Sequence, residues 1–244
     1  MNTSFKLLIK MKKLIFLIFF IPLVFFGQNK PSLDYLYPET DLIIKHHDDW
    51  GGNNYKVKIA EFKKEPLNYG AIVFLGNSIT SGGKDWSKKL NYPNIYNRGI
   101  AGDVTDGVLA RINEIVYFKP RAVFLLIGIN DLWNNMPPSA EYVGNNILKI
   151  AQTIKDRSPK TKIYIQTILP VEKEVHKQSI KKVNDIIKSN LKDDIYKVID
   201  LYSVFVDDKG LMKDDLFNDG IHLNEKGYAV WVQFIKSTVH SIKS

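Results

Sequence analysis

The chain has 244 residues, no cysteine and a formal net charge of +8. The missing cysteines exclude disulfides, thiol catalysis, thiolate metal sites and lipid attachment to a cysteine. The length suits one domain with a sizeable core. Beyond the N-terminus the lysines alternate with acids (KKEP, KDR, KDD), which describes solvated helix faces rather than a nucleic-acid-binding patch.

In chain order, residues 1–27 come first. Lys6, Lys10, Lys12 and Lys13 form a basic head without acids, an apolar run with one proline, Pro22, covers 14–26, and Gly27 precedes polar Gln28. This order reads as a secretory signal peptide; the run is short of the roughly 20 apolar residues of a membrane span. An uncleaved anchor is the alternative. Met11 followed by two lysines makes a better start than Met1. Cleavage after Gly27 removes four lysines, lowers the net charge from +8 to +4 and implies an exported protein, periplasmic or secreted, with no stable membrane span.

Residues 28–52 read as an irregular lead-in punctuated by Pro31, Pro38 and Gly51-Gly52, and 53–244 as the catalytic domain. Tyr55, Ile59 and Phe62 fall at helical spacing up to Pro66. Residues 71–75 are an apolar run ending at Gly76, and 95–97 a short strand. Val104, Val108, Ile112 and Ile115 share one helix face, and 122–127 is the clearest strand. Val143, Ile147, Ile150 and Ile154 make a helical stripe, followed by a strand at 162–168. Ile180, Val183 and Ile187 mark a helix, 197–201 a strand, and Trp231, Ile235, Val239 and Ile242 a final helix. Apolar strands alternating with amphipathic helices predict a parallel sheet of about five strands in a three-layer α/β/α sandwich. Ligands bind beyond the carboxyl ends of such strands.

Four motifs stand at those ends: FLGNSIT at 74–80, NRGIAGD at 97–103, LLIGIND at 125–131 and DGIHLN at 219–224. Ser78 follows a buried strand on a turn eased by Gly76, the placement of an exposed nucleophile, and needs a neighbouring base. His222 is the candidate base, with Asp219 three residues earlier to fix its tautomer. Gly102 has a backbone N–H with no side chain in the way, Asn130 a side-chain amide, and Ser78 its own N–H, the donors an oxyanion requires. Singly, each has a plain alternative: Ser78 as a helix cap, Asp219 and Asn130 as turn residues, His222 at a helix start, Gly102 as a loop glycine. His46-His47-Asp48-Asp49 looks like a metal cluster but lacks a third ligand group. His176 and His240 read as surface residues.

These motifs resemble the GDSL, or SGNH, hydrolase family, whose letters stand for Ser78, Gly102, Asn130 and His222. The resemblance covers about residues 53–242 and is carried most specifically by NRGIAGDVTDGVLARI, GIND and DGIHLNEKGY. It is similar in particular to the branch that holds platelet-activating-factor acetylhydrolase catalytic subunits and bacterial carbohydrate acetylesterases. The resemblance implies a flavodoxin-like sandwich, a Ser-His-Asp triad working through an acyl-enzyme, and no metal or organic cofactor. One departure is Asn77, where the family has aspartate. Asn keeps an acceptor oxygen and gains a donor, so it is expected to tune the turn.

Trp133, Arg98, Trp86 and Trp50 lie near the motifs and are candidates to line a substrate pocket, although indoles also fill cores. No insertion supplies a lid for long acyl chains, which favours acetyl. Export together with the resemblance favours O-acetylated carbohydrate as substrate. The alternatives are a lysophospholipase, thioesterase or arylesterase, an acetyltransferase, and an inactive glycan-binding scaffold. No nucleic-acid partner is expected, and the oligomeric state is not legible.

Overall fold

Short runs of Ile, Val, Leu and Phe leave no polar alternation, so each can be satisfied only by burial on both faces. In the computed structural model, which describes residues 32–190 and 194–242, such runs become β1 Ile72–Gly76 and β3 Ala122–Leu126, and more mixed stretches become β2 Ile95–Gly99, β4 Lys162–Gln166 and β5 Lys197–Ile199. They form one sheet in the order β2-β1-β3-β4-β5, every pair parallel. The expected signal peptide lies outside the described residues. No helix among the described residues is long and apolar enough to cross a membrane.

The helices in chain order are α1 Asp49–Lys64, α2 Ser78–Gly82, α3 Trp86–Leu90, α4 Thr105–Ala110, α5 Ile112–Phe118, α6 Ile129–Trp133, α7 Ala140–Arg157, α8 Lys177–Ser189, α9 Leu201–Phe205 and α10 Glu225–His240. The three longest begin at side-chain caps that take up an orphan N–H: Asp48 for α1, Ser139 for α7 and Asn224 for α10. The sandwich is the three-layer α/β/α arrangement expected.

Register decides what covers one sheet face. Phe74 lies opposite Phe124, and Phe124 opposite Tyr164, so three rings stack in a row at 4.9 and 4.7 Å. Trp86 of α3 stacks on Phe74 at 4.3 Å, and Trp231 of α10 meets Trp86 edge-on at 4.8 Å. Such pairs add about 0.5–1.5 kcal/mol each beyond their area. Elsewhere α7 packs against α4, α5, α8 and β4.

Two expectations change. The single helix face through Val104, Val108, Ile112 and Ile115 is broken: Arg111 separates α4 from α5 with φ −102° and ψ 15°, because its side chain turns inward to Asp103 and the Gly76 carbonyl. The boundary at 53 falls inside α1, and the preceding residues are not a separate lead-in. Leu36, Tyr37 and Ile44 are buried in the main core, where Tyr37 donates to the Phe62 carbonyl and to Glu114.

Candidate active site

Because β2, β1 and β3 are neighbours, the segments leaving their carboxyl ends meet at one edge. These are 77–78, 100–103 and 127–130. Gly76 ends β1 where space is scarce: a Cβ there would collide with the Leu126 carbonyl oxygen and the Thr80 hydroxyl. Asn77 caps α2 by accepting from the Ile79 N–H at 3.0 Å, which places Ser78 at the first helical position. With five residues, α2 can satisfy few of its own carbonyls. Asn97 of β2 donates to the Thr80, Ser81 and Lys84 carbonyls at 3.0–3.1 Å. Trp86 Nε1 also reaches the Thr80 carbonyl, and the Tyr228 hydroxyl reaches that of Ile79. These groups clamp the turn that presents Ser78.

The segment 217–224 is closed on itself. Phe217 and Leu223 pair as an antiparallel bridge, Asn218 N donates to the His222 carbonyl at 2.9 Å, and Gly220 takes φ +86°. Asp219 uses both oxygens. Oδ1 accepts the backbone N–H of His222 at 2.8 Å and of Ile221 at 3.2 Å, while Oδ2 accepts from the ring Nδ1 of His222 at 2.8 Å. With its proton on Nδ1, the ring presents Nε2 as an acceptor to the Ser78 hydroxyl, 2.9 Å away. Burial alone pushes the Asp219 carboxyl up, but the hydrogen bonds from the His222 amide, the His222 ring and the Ile221 amide outweigh it and hold it below its usual range. Asp219 stays an anion, able to stabilise an imidazolium beside it.

A cleft of about 340 Å³ opens at Ser78 and His222, with Gly102 and Asn130 in its wall. Gly102 has φ +81°, and a Cβ on it would stand 2.9 Å from Gly51 Cα and 3.0 Å from the Trp50 ring; both the backbone conformation and the space call for glycine. Asn130 spends one amide N–H on the Asp103 carbonyl at 2.9 Å, leaving the second for the cleft. His46, Asp48, Trp50, Trp133 and Asn134 also line it.

Of the expected pocket residues, Trp133 and Trp50 line this cleft. Trp133 is engaged on its ring, stacked on His176 at 4.3 Å with the Lys173 ammonium 4.6 Å from its centroid. Arg98 and Trp86 are corrections. Trp86 is 1% exposed within the aromatic row. Arg98 is 4% exposed, below the site, where Glu114 holds its guanidinium. Both sit beside motif residues in sequence but point into the core. His176 is half-buried against Trp133 rather than a free surface group; burial and the Lys173 charge lower its pKa against the hydrogen bond its ring donates to the Leu132 backbone. Among the described residues no cluster of three or more His, Asp or Glu side chains could hold a metal ion. The HHDD run disperses: His46 faces the cleft, His47 meets Asp103, and Asp48 caps α1. Sequence reasoning passed over Asn97, Tyr228 and Asn224, which donates to the Asp215 and Phe217 carbonyls and so anchors the loop of His222. All three stand inside the quoted motifs, and that was the available signal.

Comparison with known proteins follows this geometry. A family model described as GDSL-like Lipase/Acylhydrolase matches residues 74–230. The alpha2 subunit of platelet-activating factor acetylhydrolase IB from Rattus norvegicus is 29% identical over 212 residues, covering 83% of this chain and 87% of the relative. A solved GDSL-like lipase from Bacteroides thetaiotaomicron superposes with a TM-score of 0.66 at 24% identity, covering 77% of this chain and 97% of that one. An acetyl-xylooligosaccharide esterase from Geobacillus superposes with a TM-score of 0.59 at 18% identity, covering 73% and 99%.

Proposed function

The chain belongs to the GDSL-like lipase/acylhydrolase family, an ester-hydrolysing enzyme, and on that premise we propose that Ser78, His222 and Asp219 are its catalytic triad and acetylated carbohydrate its substrate. The observation that carries the triad is the unbroken chain from Asp219 Oδ2 through the His222 ring to Ser78 Oγ, at 2.8 and 2.9 Å. Ser78 Oγ attacks the ester carbonyl as His222 Nε2 takes its proton. The Gly102 and Ser78 N–H groups and the Asn130 amide receive the oxyanion, in donor positions set before reaction. The intermediate collapses, and the alcohol leaves with the proton from His222. Water then gives a proton to His222 as it attacks the acyl-enzyme, and His222 passes that proton to Ser78 Oγ as the acid leaves.

The small open cleft supports a short acyl group. The exposed Trp50 ring and the polar His46, Asp48 and Asn134 beside it suit a sugar, whose apolar face stacks on indole and whose hydroxyls need partners. The name of the Geobacillus neighbour agrees with this. The name of the rat relative favours a second reading, an acetyl ester of a lipid-like alcohol. The reading also includes export, with residues 1–27 as the signal. Release of p-nitrophenol from p-nitrophenyl acetate, beside a Ser78→Ala control, tests the triad. Acyl-chain series and acetylated xylo-oligosaccharides against an acetylated lysophospholipid test the substrate. Turnover surviving in Ser78→Ala sinks the triad, and a preference for the lipid sinks the carbohydrate.

A further inference from the structure

A buried polar cluster lies directly under the oxyanion segment. Asp103, next after Gly102, is fully buried at 0% exposure. Its Oδ2 accepts from Arg111 Nε at 3.0 Å and is ion-paired with Nη2 at 2.9 Å. Its Oδ1 accepts from the Val104 N–H at 3.0 Å and faces His47 Nε2 at 3.2 Å. A carboxylate so placed persists only when its lone pairs are taken up.

What these groups touch gives the cluster its role. The Asp103 carbonyl accepts from the Asn130 amide at 2.9 Å. Arg111 Nη2 also donates to the Gly76 carbonyl at 3.1 Å, two residues before Ser78. Gly102 is bonded to Asp103 covalently. Each proposed oxyanion donor is therefore one short step from the Asp103–Arg111 pair. His47 joins the pair from a distant stretch of chain, 56 residues away. Its neighbours in that stretch bear on the same loop: the Trp50 ring packs beside Gly102, and a Cβ on Gly51 would meet the Gly102 carbonyl oxygen at 3.1 Å. The Asn134 amide ties the stretch to the end of α6 by donating to the His46 carbonyl at 2.7 Å.

We propose that His47 is a positioning residue for ester hydrolysis: through Asp103 it holds Gly102 and Asn130 in place, so that docking of residues 46–51 completes the oxyanion site. This rests on the serine-esterase reading above. His47 touches no reacting atom. Its Nε2–H restrains the Asp103 carboxylate, and the loop inherits that restraint. Donors that must rearrange as charge develops stabilise the transition state less, while ground-state binding changes little.

The test uses the whole protein with His47→Ala, His47→Gln and His47→Asn, beside Ser78→Ala. A Gln amide can reach the place of Nε2, whereas an Asn amide stops short of Asp103; the two compare equal polarity with and without the contact, and they carry the test if Ala unfolds. Measured are Tm, kcat and KM on p-nitrophenyl acetate, and the rate of phosphonylation by a p-nitrophenyl phosphonate, whose adduct mimics the tetrahedral intermediate. Expected for Ala and Asn is a kcat roughly 10–100-fold lower, a KM nearly unchanged and phosphonylation slowed in parallel, with Gln recovering most of the loss. A folded His47→Asn with wild-type kcat overturns the proposal. So does a fall in kcat without slower phosphonylation, or a Gln variant no better than Asn. Turnover in Ser78→Ala would instead overturn the esterase reading, independently of how the His47 variants behave.

Discussion

Replacing Arg98 with methionine separates structure from substrate recognition. Arg98 donates to Glu114 through Nε at 3.0 and 3.2 Å and through Nη2 at 2.8 Å, and to the Glu65 carbonyl at 2.7 Å. Its guanidinium lies 4.4 Å from the Phe62 ring centroid. Glu114 is 2% exposed, and without the arginine it keeps only the Tyr37 hydroxyl at 3.1 Å and the Leu67 N–H at 3.3 Å. Removing one member of a buried pair costs about 3–5 kcal/mol, because a desolvated charge is left behind. That is about a fifth or more of the roughly 5–15 kcal/mol stability of a typical domain. Urea unfolding of Arg98→Met should show a loss of this size, and Arg98→Met with Glu114→Met together should recover most of it, since two packed apolar chains leave no charge to neutralise. Under conditions where the single variant is folded, its kcat and KM on p-nitrophenyl acetate and on acetylated oligosaccharide should match wild type. An unchanged unfolding midpoint with a raised KM for the oligosaccharide would refute this reasoning and return Arg98 to the substrate.

Three further outcomes follow from the site. Asp219→Asn should lower kcat roughly 10³–10⁴-fold with little change in KM, since the amide can no longer hold the His222 tautomer; steady-state kinetics at fixed pH checks it. Gly102→Ala must place a side chain at φ +81° within 3.0 Å of Trp50, so a stability loss of about 1–3 kcal/mol and a kcat lower by roughly 10²-fold are expected from unfolding and kinetic measurements together. Burial lifts the Asp131 carboxyl to about 7 against the hydrogen bonds it receives from Thr105. A carboxyl raised in the folded state stabilises the fold fully below its unfolded pKa and loses that contribution as pH rises through the folded value. The urea midpoint of wild type should therefore fall between roughly pH 4 and pH 7, and Asp131→Asn should flatten that decline; equal slopes would count against it.

The sheet was legible because burial on both faces writes itself into sequence as unbroken apolar runs, and β1 and β3 lie within a residue or two of where those runs stand. The long helices α7 and α10 were legible from their stripes. The short helices α2, α3, α6 and α9 were not, since five residues give too little periodicity to separate a helix from a turn. The break at Arg111 was hidden for a different reason. The pattern of Val104, Val108, Ile112 and Ile115 is that of one helix, and only a tertiary partner, the carboxylate of Asp103, shows why Arg111 leaves it.

At the site, sequence spacing singled out three residues, Ser78, Asp219 and His222, that the fold brings into hydrogen-bond contact, but it misjudged two neighbours and omitted the support. Proximity along the chain cannot tell which face of β2 a residue takes: Arg98 and Asn97 are adjacent, yet one enters the core on Glu114 and the other clamps α2. The alternatives weighed for Asp219, turn residue or partner of histidine, also proved not to be alternatives. Oδ1 holds the turn and Oδ2 holds the ring, so the group that closes the loop also aims the imidazole. The same economy governs the segment before 53. Its role is not legible locally because its partners lie about 50 residues away in the motif loops: His47 meets Asp103 from 56 positions off, and Asn54, just beyond that boundary, donates to the Ala101 carbonyl at 2.8 Å from 47. A local pattern can announce a residue that acts on its neighbours in sequence, but not one whose purpose is to hold another segment still.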